Sequence, residues 1–366
     1  MTNKKKFVYI TTIASPHQVA FCNSLQEYFN SEFLFYDYIG NRPNWWKVDI
    51  GNKCTVLPYV LFKKKSKYLT ISHILFLRKF NPDIVMLGGF SIPANYLAYL
   101  WSILNKKRVI VFTERSRDKH GRLRERGFIW RIIKLFYRRV DLVIVSAEDA
   151  IKQFKEDFHF NEKVKYCNYA SDIDNYFSHK LREHKQKNNY IYLFPNRLID
   201  IYNPLLAIHI FKAIVNKYPG SVLKINAEGP LKNDCIKLIS ELDIIGNVIF
   251  LTEIKQWDDL PIIYKSCDIM ILPALFSNGN FTIIEAMASG MGIVISNKIL
   301  GIGNLIVDGV NGYNCEPNIA EFVKRIEEYI NNPSLFVSHA KLNREKAFPF
   351  SAKGTAKKFY EILNSK

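Results

Sequence analysis

The feature that most constrains this chain is an alternation of strand-length apolar runs with helical stretches, which breaks off once and then restarts. Short apolar runs bounded by glycine or polar positions read as buried strands. Stretches whose apolar residues recur every three to four positions read as helices. In the first half, 7–13, 33–38, 55–60, 83–87, 108–113 and 141–145 predict strands, and 17–28, 69–80 and 128–139 predict helices. A polar segment, 178–189, interrupts the pattern as a surface linker or excursion. The pattern resumes with strands at 190–195, 222–226, 248–251, 268–272 and 293–296. Helices are expected at 204–217, from 231 to about 242, at 258–266 and at 282–289. Strands joined through helices pair parallel, so the class is α/β, with two doubly wound Rossmann-like domains in tandem. The 366 residues suit that number. The expected division is 1–177 and 178–349. Ligands in such sheets sit outside the carboxyl ends of the strands, and the cleft between two such domains is the expected site.

Composition narrows the class further. A hydrophobic fraction of 48% and a charged fraction of 23% suit packed cores. Cys22, Cys54, Cys167, Cys235, Cys267 and Cys315 are widely spaced, form no CxxC pair and mostly sit in apolar runs. They read as reduced core thiols rather than a disulfide or zinc framework. The start, MTNKKKFVYITTIASPH, has too short an apolar run for a signal peptide and reads as a first strand. Residues 84–105 carry no charge, enough for a membrane span by length. Gly88-Gly89, Ser91, Pro93 and Asn95 interrupt that stretch, so a buried strand, a glycine turn and a packed helix are expected instead.

Net charge is +17, and its placement says more than its size. Up to residue 188 there are 33 Lys and Arg against 17 Asp and Glu; beyond it, 18 against 17. Nearly all of the basic surplus therefore lies in the first half, which points that half at something anionic.

The chemistry gathers in the second half. After the strand at 268–272 comes a small polar loop with Ser277, Asn278, Gly279 and Asn280, and a helix opens near Phe281 or Thr282. The first-turn amides of a helix lack intrahelical partners and sit at the positive end of its dipole, which makes them a site for phosphate oxygens. Glu285 follows, where a carboxylate can accept two ribose hydroxyls or act as a dipole or capping residue. Arg197 stands at another strand end, where its guanidinium can fork onto a phosphate or form a surface ion pair. Glu228-Gly229-Pro230 ends a third strand, and its glycine allows a ligand to approach the backbone. Gly301 and Gly303 follow a fourth, and Asp308-Gly309 with Asn311-Gly312 mark turns.

In that order, residues 196–317 resemble the family 4 retaining glycosyltransferases of the GT-B fold. The matching pieces are Arg197-Leu198, Glu228-Gly229-Pro230, Tyr264-Lys265-Ser266-Cys267-Asp268, Glu285-Ala286-Met287-Ala288-Ser289-Gly290 and Asp308-Gly309-Val310-Asn311-Gly312. The first half resembles the family only in layout, and about 350–366 looks like its closing helix, which crosses back onto the first domain. The resemblance implies that Glu285 binds the nucleotide ribose and that the backbone at Thr282 and Ile283, beside Phe281, meets the diphosphate. It also implies that Arg197 binds phosphate oxygens and that the base lies near 227–230. Transfer would retain configuration without metal or cofactor, with the leaving diphosphate helping to deprotonate the acceptor on the same face. Stabilising charge on that phosphate is then the main catalytic task. Two positions depart from the family: Ser277 stands where a second glutamate usually touches the donor sugar, and Tyr202 where a lysine usually stands. Arg115, Arg117 and Lys298 are candidate replacement cations.

The first half should hold the acceptor. His17, in the loop after the first strand, and Glu114, after the strand at 108–113, are candidate acceptor-side catalytic residues; the alternatives are a structural histidine and a salt bridge to Arg115 or Arg117. Lys63, Lys64, Lys65, Arg115 and Arg117 carry much of the basic surplus, as does the helix 128–139 with Arg131 and Lys134. That pattern suits a peripheral site on anionic lipid, where a lipid-linked saccharide acceptor would be presented at the cytoplasmic membrane face. Nucleic acid is not an expected partner, since no helix-turn-helix, zinc module or RNP-like strand accompanies the basic charge. The function expected is transfer of a hexosyl or N-acetylhexosaminyl group from a nucleotide-diphosphate sugar, UDP-sugar foremost, in glycan synthesis. The rivals are a nucleotide-free phosphorylase and a non-catalytic donor-binding partner subunit.

Overall fold

The computed structural model describes residues 4–58, 62–64, 67–89, 92–117, 127–159, 163–178, 181, 189–252, 254–277 and 281–364. It describes no side chains at 62–64, 67, 127, 129 or 302–303. The chain divides into two compact units, Met1–Asp172 with Ala352–Lys366, and Ile173–Ser351.

In the first unit the strands are β1 (Lys6–Ile13), β2 (Asn30–Asp37), β3 (Cys54–Val56), β4 (Phe62–Lys64), β5 (Lys67–Leu69), β6 (Ile84–Leu87), β7 (Arg108–Thr113), β8 (Leu142–Val145) and β9 (Val164–Tyr166). Among the described residues one parallel sheet runs β3-β2-β1-β6-β7-β8-β9. Central strands such as β6 and β8 are buried at every position, because helices cover both faces. One face packs under the helices Pro16–Leu25 and Ala352–Asn364, and the other under Ser72–Phe80, Pro93–Leu104, Gly127–Tyr137 and Glu148–Phe158. The C-terminal helix is part of this core. Phe359 lies edge-on to Phe7 at 5.9 Å and to Phe21 at 5.8 Å, and Asn168 donates to the Thr355 hydroxyl at 2.8 Å.

The helix starts and stops follow local chemistry. Ser15 accepts from the Gln18 amide and Pro16 occupies the first turn, so Pro16–Leu25 begins there. Asn81, at φ +50°, ends Ser72–Phe80 in the left-handed conformation that terminates many helices. The helix expected from 69 instead starts at Ser72. Tyr68, buried and stacked on Tyr36 at 5.4 Å, anchors 67–69 as a strand paired antiparallel with β4. Within 84–105 the described residues form β6 and then the helix Pro93–Leu104, and no helix among the described residues is long and apolar enough to cross a membrane.

The second unit contributes β10 (Ile191–Phe194), β11 (Val222–Asn226), β12 (Val248–Leu251), β13 (Ile269–Leu272), β14 (Gly292–Ser296) and β15 (Tyr313–Cys315). Its parallel sheet runs β12-β11-β10-β13-β14-β15. The chain enters this unit through the short helix Asp174–Phe177, whose Tyr176 is buried in the second core. Most of 178–189 lies outside the described residues. Both units are parallel-sheet α/β units, the tandem layout expected from the sequence.

Candidate functional site

In a doubly wound sheet the strand order reverses at one place, and the loops leaving the two strands there part to form a crevice. In the second unit that switch point lies between β10 and β13. Arg197 follows β10, and Ser277 and the helix Phe281–Ser289 follow β13. The two loops are tied together, since the Thr282 hydroxyl donates to the Asn196 side-chain oxygen at 3.0 Å and the Leu275 amide to the Ile201 carbonyl at 2.8 Å. The neighbouring loop after β11 joins them. Asn226 donates to the Pro195 carbonyl at 2.9 Å and accepts from the Glu228 amide at 2.7 Å, and the Leu198 amide donates to the Glu228 carbonyl at 2.7 Å. Arg197, Glu228, Phe281 and Thr282 are thereby assembled at one end of one sheet, although they lie up to 85 positions apart in sequence. Arg197 is exposed and makes no side-chain hydrogen bond or ion pair among the described residues. Ile283 is buried, so only its backbone can serve a ligand. Asn280 lies outside the described residues.

Glu285 stands beyond the first turn of its helix and is only 4% exposed. Its Oε2 accepts a hydrogen bond from the Tyr264 hydroxyl at 2.6 Å. The two family departures have visible local consequences. Ser277 is buried; it pairs as an isolated bridge with Ile299, and its carbonyl accepts from the Leu300 amide at 2.8 Å. Tyr202 is half-buried against the apolar core, so that position offers no cation. Lys298 has a carboxylate at 2.9 Å in Glu316.

Gly229 is explained by the chain itself. It sits at φ +142°, and a Cβ there would stand 2.3 Å from the Leu198 carbonyl oxygen and 2.7 Å from its nitrogen. The close backbone approach that requires glycine is thus made by residue 198, and the loop is pressed against Arg197's neighbour. Pro230 beside it is exposed. The turn at 308–312 is held from within. Asn311, fully buried, accepts from the Val307 amide at 2.8 Å and donates to Asn343 at 2.7 Å, and Asn343 returns a bond to the Asn311 carbonyl at 2.7 Å.

In the first unit, His17 and Glu114 each follow a strand of the first sheet, β1 and β7. The Asp172 amide donates to Nδ1 of His17 at 3.0 Å, and burial pushes the imidazole down to about 4. His17 is therefore neutral near pH 7, with Nδ1 an acceptor and the proton on Nε2. The Trp46 ring stands perpendicular to it at 6.3 Å, with the Arg42 guanidinium 5.2 Å from the Trp46 ring. Sequence reasoning passed over Trp46 and Arg42, and the signal was the pair Trp45-Trp46 in an otherwise polar stretch. It also gave no role to Asn196 or Tyr264, although both lie in the matched pieces or beside them.

The exposed Glu114 begins a segment tied to the helix Glu148–Phe158. Arg115 pairs with Asp149 at 2.8 Å, and Arg117 with Asp157 at 2.6 Å and Glu156 at 2.9 Å. The two arginines that sequence charge counting offers to an anionic partner thus already face carboxylates of their own unit. On the helix Gly127–Tyr137 and just beyond it, Phe128, Arg131, Leu135 and Arg138 are exposed at one helical spacing, while Ile133 and Tyr137 are buried and Lys134 is half-buried. Lys63 and Lys64 belong to β4, their side chains outside the description, and Lys65 lies outside the described residues.

Residues 177–346 match the sequence model of the family Glycosyl transferases group 1. The chain is 33% identical over 138 residues to an uncharacterized glycosyltransferase of Haemophilus influenzae, covering 37% of this chain and 38% of that protein. It is 24% identical over 302 residues to an uncharacterized glycosyltransferase of Methanocaldococcus jannaschii, covering 75% and 71%. It is 30% identical over 136 residues to the Escherichia coli UDP-Gal:alpha-D-GlcNAc-diphosphoundecaprenol alpha-1,3-galactosyltransferase, covering 36% and 34%. Two of these alignments therefore span little more than a third of the relatives' lengths. Among solved structures, Anabaena HepE, crystallised with UDP and glucose, superposes with a TM-score of 0.69 at 16% identity, over 99% of this chain and 100% of that one. WaaG, a glycosyltransferase involved in lipopolysaccharide biosynthesis, superposes with a TM-score of 0.64 at 12% identity, over 98% and 100%. The match to Glycosyl transferases group 1 thus covers residues 177–346, which hold the switch-point site of the second sheet, and the chain has the GT-B fold of these solved structures.

Proposed function

We propose that the protein transfers a hexosyl or N-acetylhexosaminyl group from a nucleotide-diphosphate sugar, UDP-sugar foremost, to a lipid-linked saccharide, with retention of configuration and without a metal. The observation that carries this reading is the convergence at the β10/β13 switch point. There Arg197, without a side-chain hydrogen bond or ion pair among the described residues, and the N-terminus of the helix Phe281–Ser289 are brought together by hydrogen-bonded loops, with the Glu285 carboxylate on that same helix. Two positive features beside a carboxylate suit a diphosphate beside a ribose: the helix amides and the guanidinium take the phosphate oxygens, and the carboxylate takes hydroxyl hydrogens. As the bond to the sugar breaks, negative charge grows on the departing diphosphate, and donors fixed beforehand stabilise it without reorganising.

The acceptor end belongs to the first unit in this reading. His17 offers a neutral Nε2–H beside Trp46, a donor next to an aromatic face, and Glu114 is exposed at the end of β7. A diphosphoundecaprenol-linked acceptor is named for the E. coli relative, and UDP for the HepE complex. The exposed stripe Phe128, Arg131, Leu135, Arg138 mixes apolar and basic groups, as interfacial helices on anionic lipid do. In this reading the protein works at the cytoplasmic face of the membrane.

Calorimetric titration with UDP-, GDP- and ADP-sugars, beside a transfer assay, tests the reading. Binding of one donor, turnover that survives EDTA, and weakened binding with lost turnover in Glu285→Ala are the results expected. A strict manganese requirement would remove the metal-free mechanism, and unchanged kinetics in Glu285→Ala would remove Glu285 from the site. A second reading, a donor-binding partner subunit without turnover, draws on Ser277 and Tyr202 standing where the family has a glutamate and a lysine. Binding of a donor without transfer to any lipid-linked saccharide would favour it.

A further inference from the structure

A carboxylate that is to recognise two vicinal hydroxyls must be held in one rotation, because a ribose reads the plane of the group as well as its charge. Glu285 is at a depth where that rotation is set by the protein. Its Oε2 is bonded to the Tyr264 hydroxyl at 2.6 Å, a length typical of a charge-assisted O–H···O bond. Tyr264 comes from a different element, the helix Asp259–Ser266, and is 2% exposed. Its ring is fixed edge-on by Tyr176 at 5.4 Å from the helix Asp174–Phe177. Burial and the neighbouring Glu285 charge push the Tyr264 phenol well above its ordinary value, so it keeps its proton and only donates. The helix Asp259–Ser266 thus bonds the carboxylate of the helix Phe281–Ser289, and the helix Asp174–Phe177 packs against the bonding ring.

We propose that Tyr264 is a positioning residue for donor recognition: its hydroxyl holds one oxygen of Glu285 and so aims the carboxylate at the ribose hydroxyls. This rests on the reading of Glu285 as the ribose-binding group. The competing role is a structural staple between the helices Asp259–Ser266 and Phe281–Ser289, which would affect every ligand equally.

The test titrates the wild type, Tyr264→Phe, Glu285→Ala and the double variant with UDP, GDP and ADP and with their 2′,3′-dideoxy forms, which lack the hydroxyls. In the wild type, the tightest-binding nucleotide should lose affinity on removal of its ribose hydroxyls. Tyr264→Phe should weaken that nucleotide about tenfold, the cost of one misaligned charge-assisted bond, and change the dideoxy form less than about twofold. Adding Tyr264→Phe to Glu285→Ala should change neither. An equal loss for both forms, no loss at all, or a further loss in the double variant would overturn the proposal. If Tyr264→Phe fails to fold because its carboxylate is left short of a donor, the comparison of Glu285→Ala with the double variant, which has no such charge, still decides. A wild type that binds the nucleotide and its dideoxy form equally well defeats the ribose role of Glu285 itself. A wild type that binds no nucleotide defeats the proposed function.

Discussion

At the scale of single residues, the matched motifs divide into groups proposed to meet a ligand and groups that make the loops possible. Gly229 belongs to the second kind, because the space of its absent side chain is filled by the Leu198 peptide. Gly229→Ala has to move backbone rather than a flexible side chain, and it adds strain at φ +142°. Its expected cost in urea denaturation is about 2–4 kcal/mol, with donor affinity falling because Arg197 shares the displaced segment. Gly309 is the internal control. It also has a positive φ, +72°, but nothing lies within 4 Å of its Cβ position, so Gly309→Ala should cost only about 1 kcal/mol. Equal costs at the two sites would show that the Leu198 contact yields. Asn311 is a third kind of case. The turn signal at 308–312 was legible in the sequence, but its buried partner Asn343 comes from a helix that no pattern linked to it.

At the scale of elements, the strands share a device for setting register. Asp83, Asp141 and Asp268 each stand immediately before a strand or within one residue of it, and each accepts a backbone amide from an adjacent strand. The amides are Lys6 at 2.8 Å, Val109 at 2.7 Å and Ile191 at 2.8 Å. Asp268, 1% exposed, is the most enclosed of the three. Asp268→Ala leaves the half-buried Ile191 amide without its side-chain acceptor at the strand pair β10/β13 that forms the switch point. It should cost about 1–3 kcal/mol in chemical denaturation, and Asp268→Asn, which keeps the acceptor, clearly less. The basic helix makes a different prediction. Arg131 and Arg138 are exposed, whereas Arg115 and Arg117 are paired with acidic residues of Glu148–Phe158. Arg131→Glu with Arg138→Glu should therefore weaken sedimentation with phosphatidylglycerol vesicles far more than Arg115→Ala. Binding by the wild type should fall as salt shortens the screening length. Salt-independent binding would point to apolar insertion by Phe128 and Leu135 instead.

At the scale of the whole molecule, stability should depend on pH through histidines held neutral. Burial pushes His17 and His73 in the first unit down to about 4, and lowers His339 in the second. Between about pH 6.5 and 4 the unfolded chain binds protons that the folded one refuses, so stability falls as pH falls through this window. Each group contributes a slope of up to about 1.4 kcal/mol per pH unit. The urea midpoint should drop from pH 7 to 5, and His73→Leu should flatten part of that slope; a flat wild-type profile would show that these imidazoles titrate normally in the fold. The fold class was legible from the sequence because buried parallel strands leave continuous apolar runs, as at β6, β8, β13 and β14. So was the linear order of the switch-point loops. Other features left no local trace. The hairpin of β4 and β5, with Tyr68 set on Tyr36, depends on a contact across about thirty residues. The pairing of Arg115 and Arg117 depends on a helix some forty residues on, and a count of charges cannot see it. Glu285 shows the division most clearly. Its place on a helix after a strand was set by local pattern, which left a surface cap and a ligand group equally open. Burial to 4% and a bond to Tyr264, 21 positions away, were decided only when three helices packed together, because side-chain direction and depth are properties of packing rather than of any one segment.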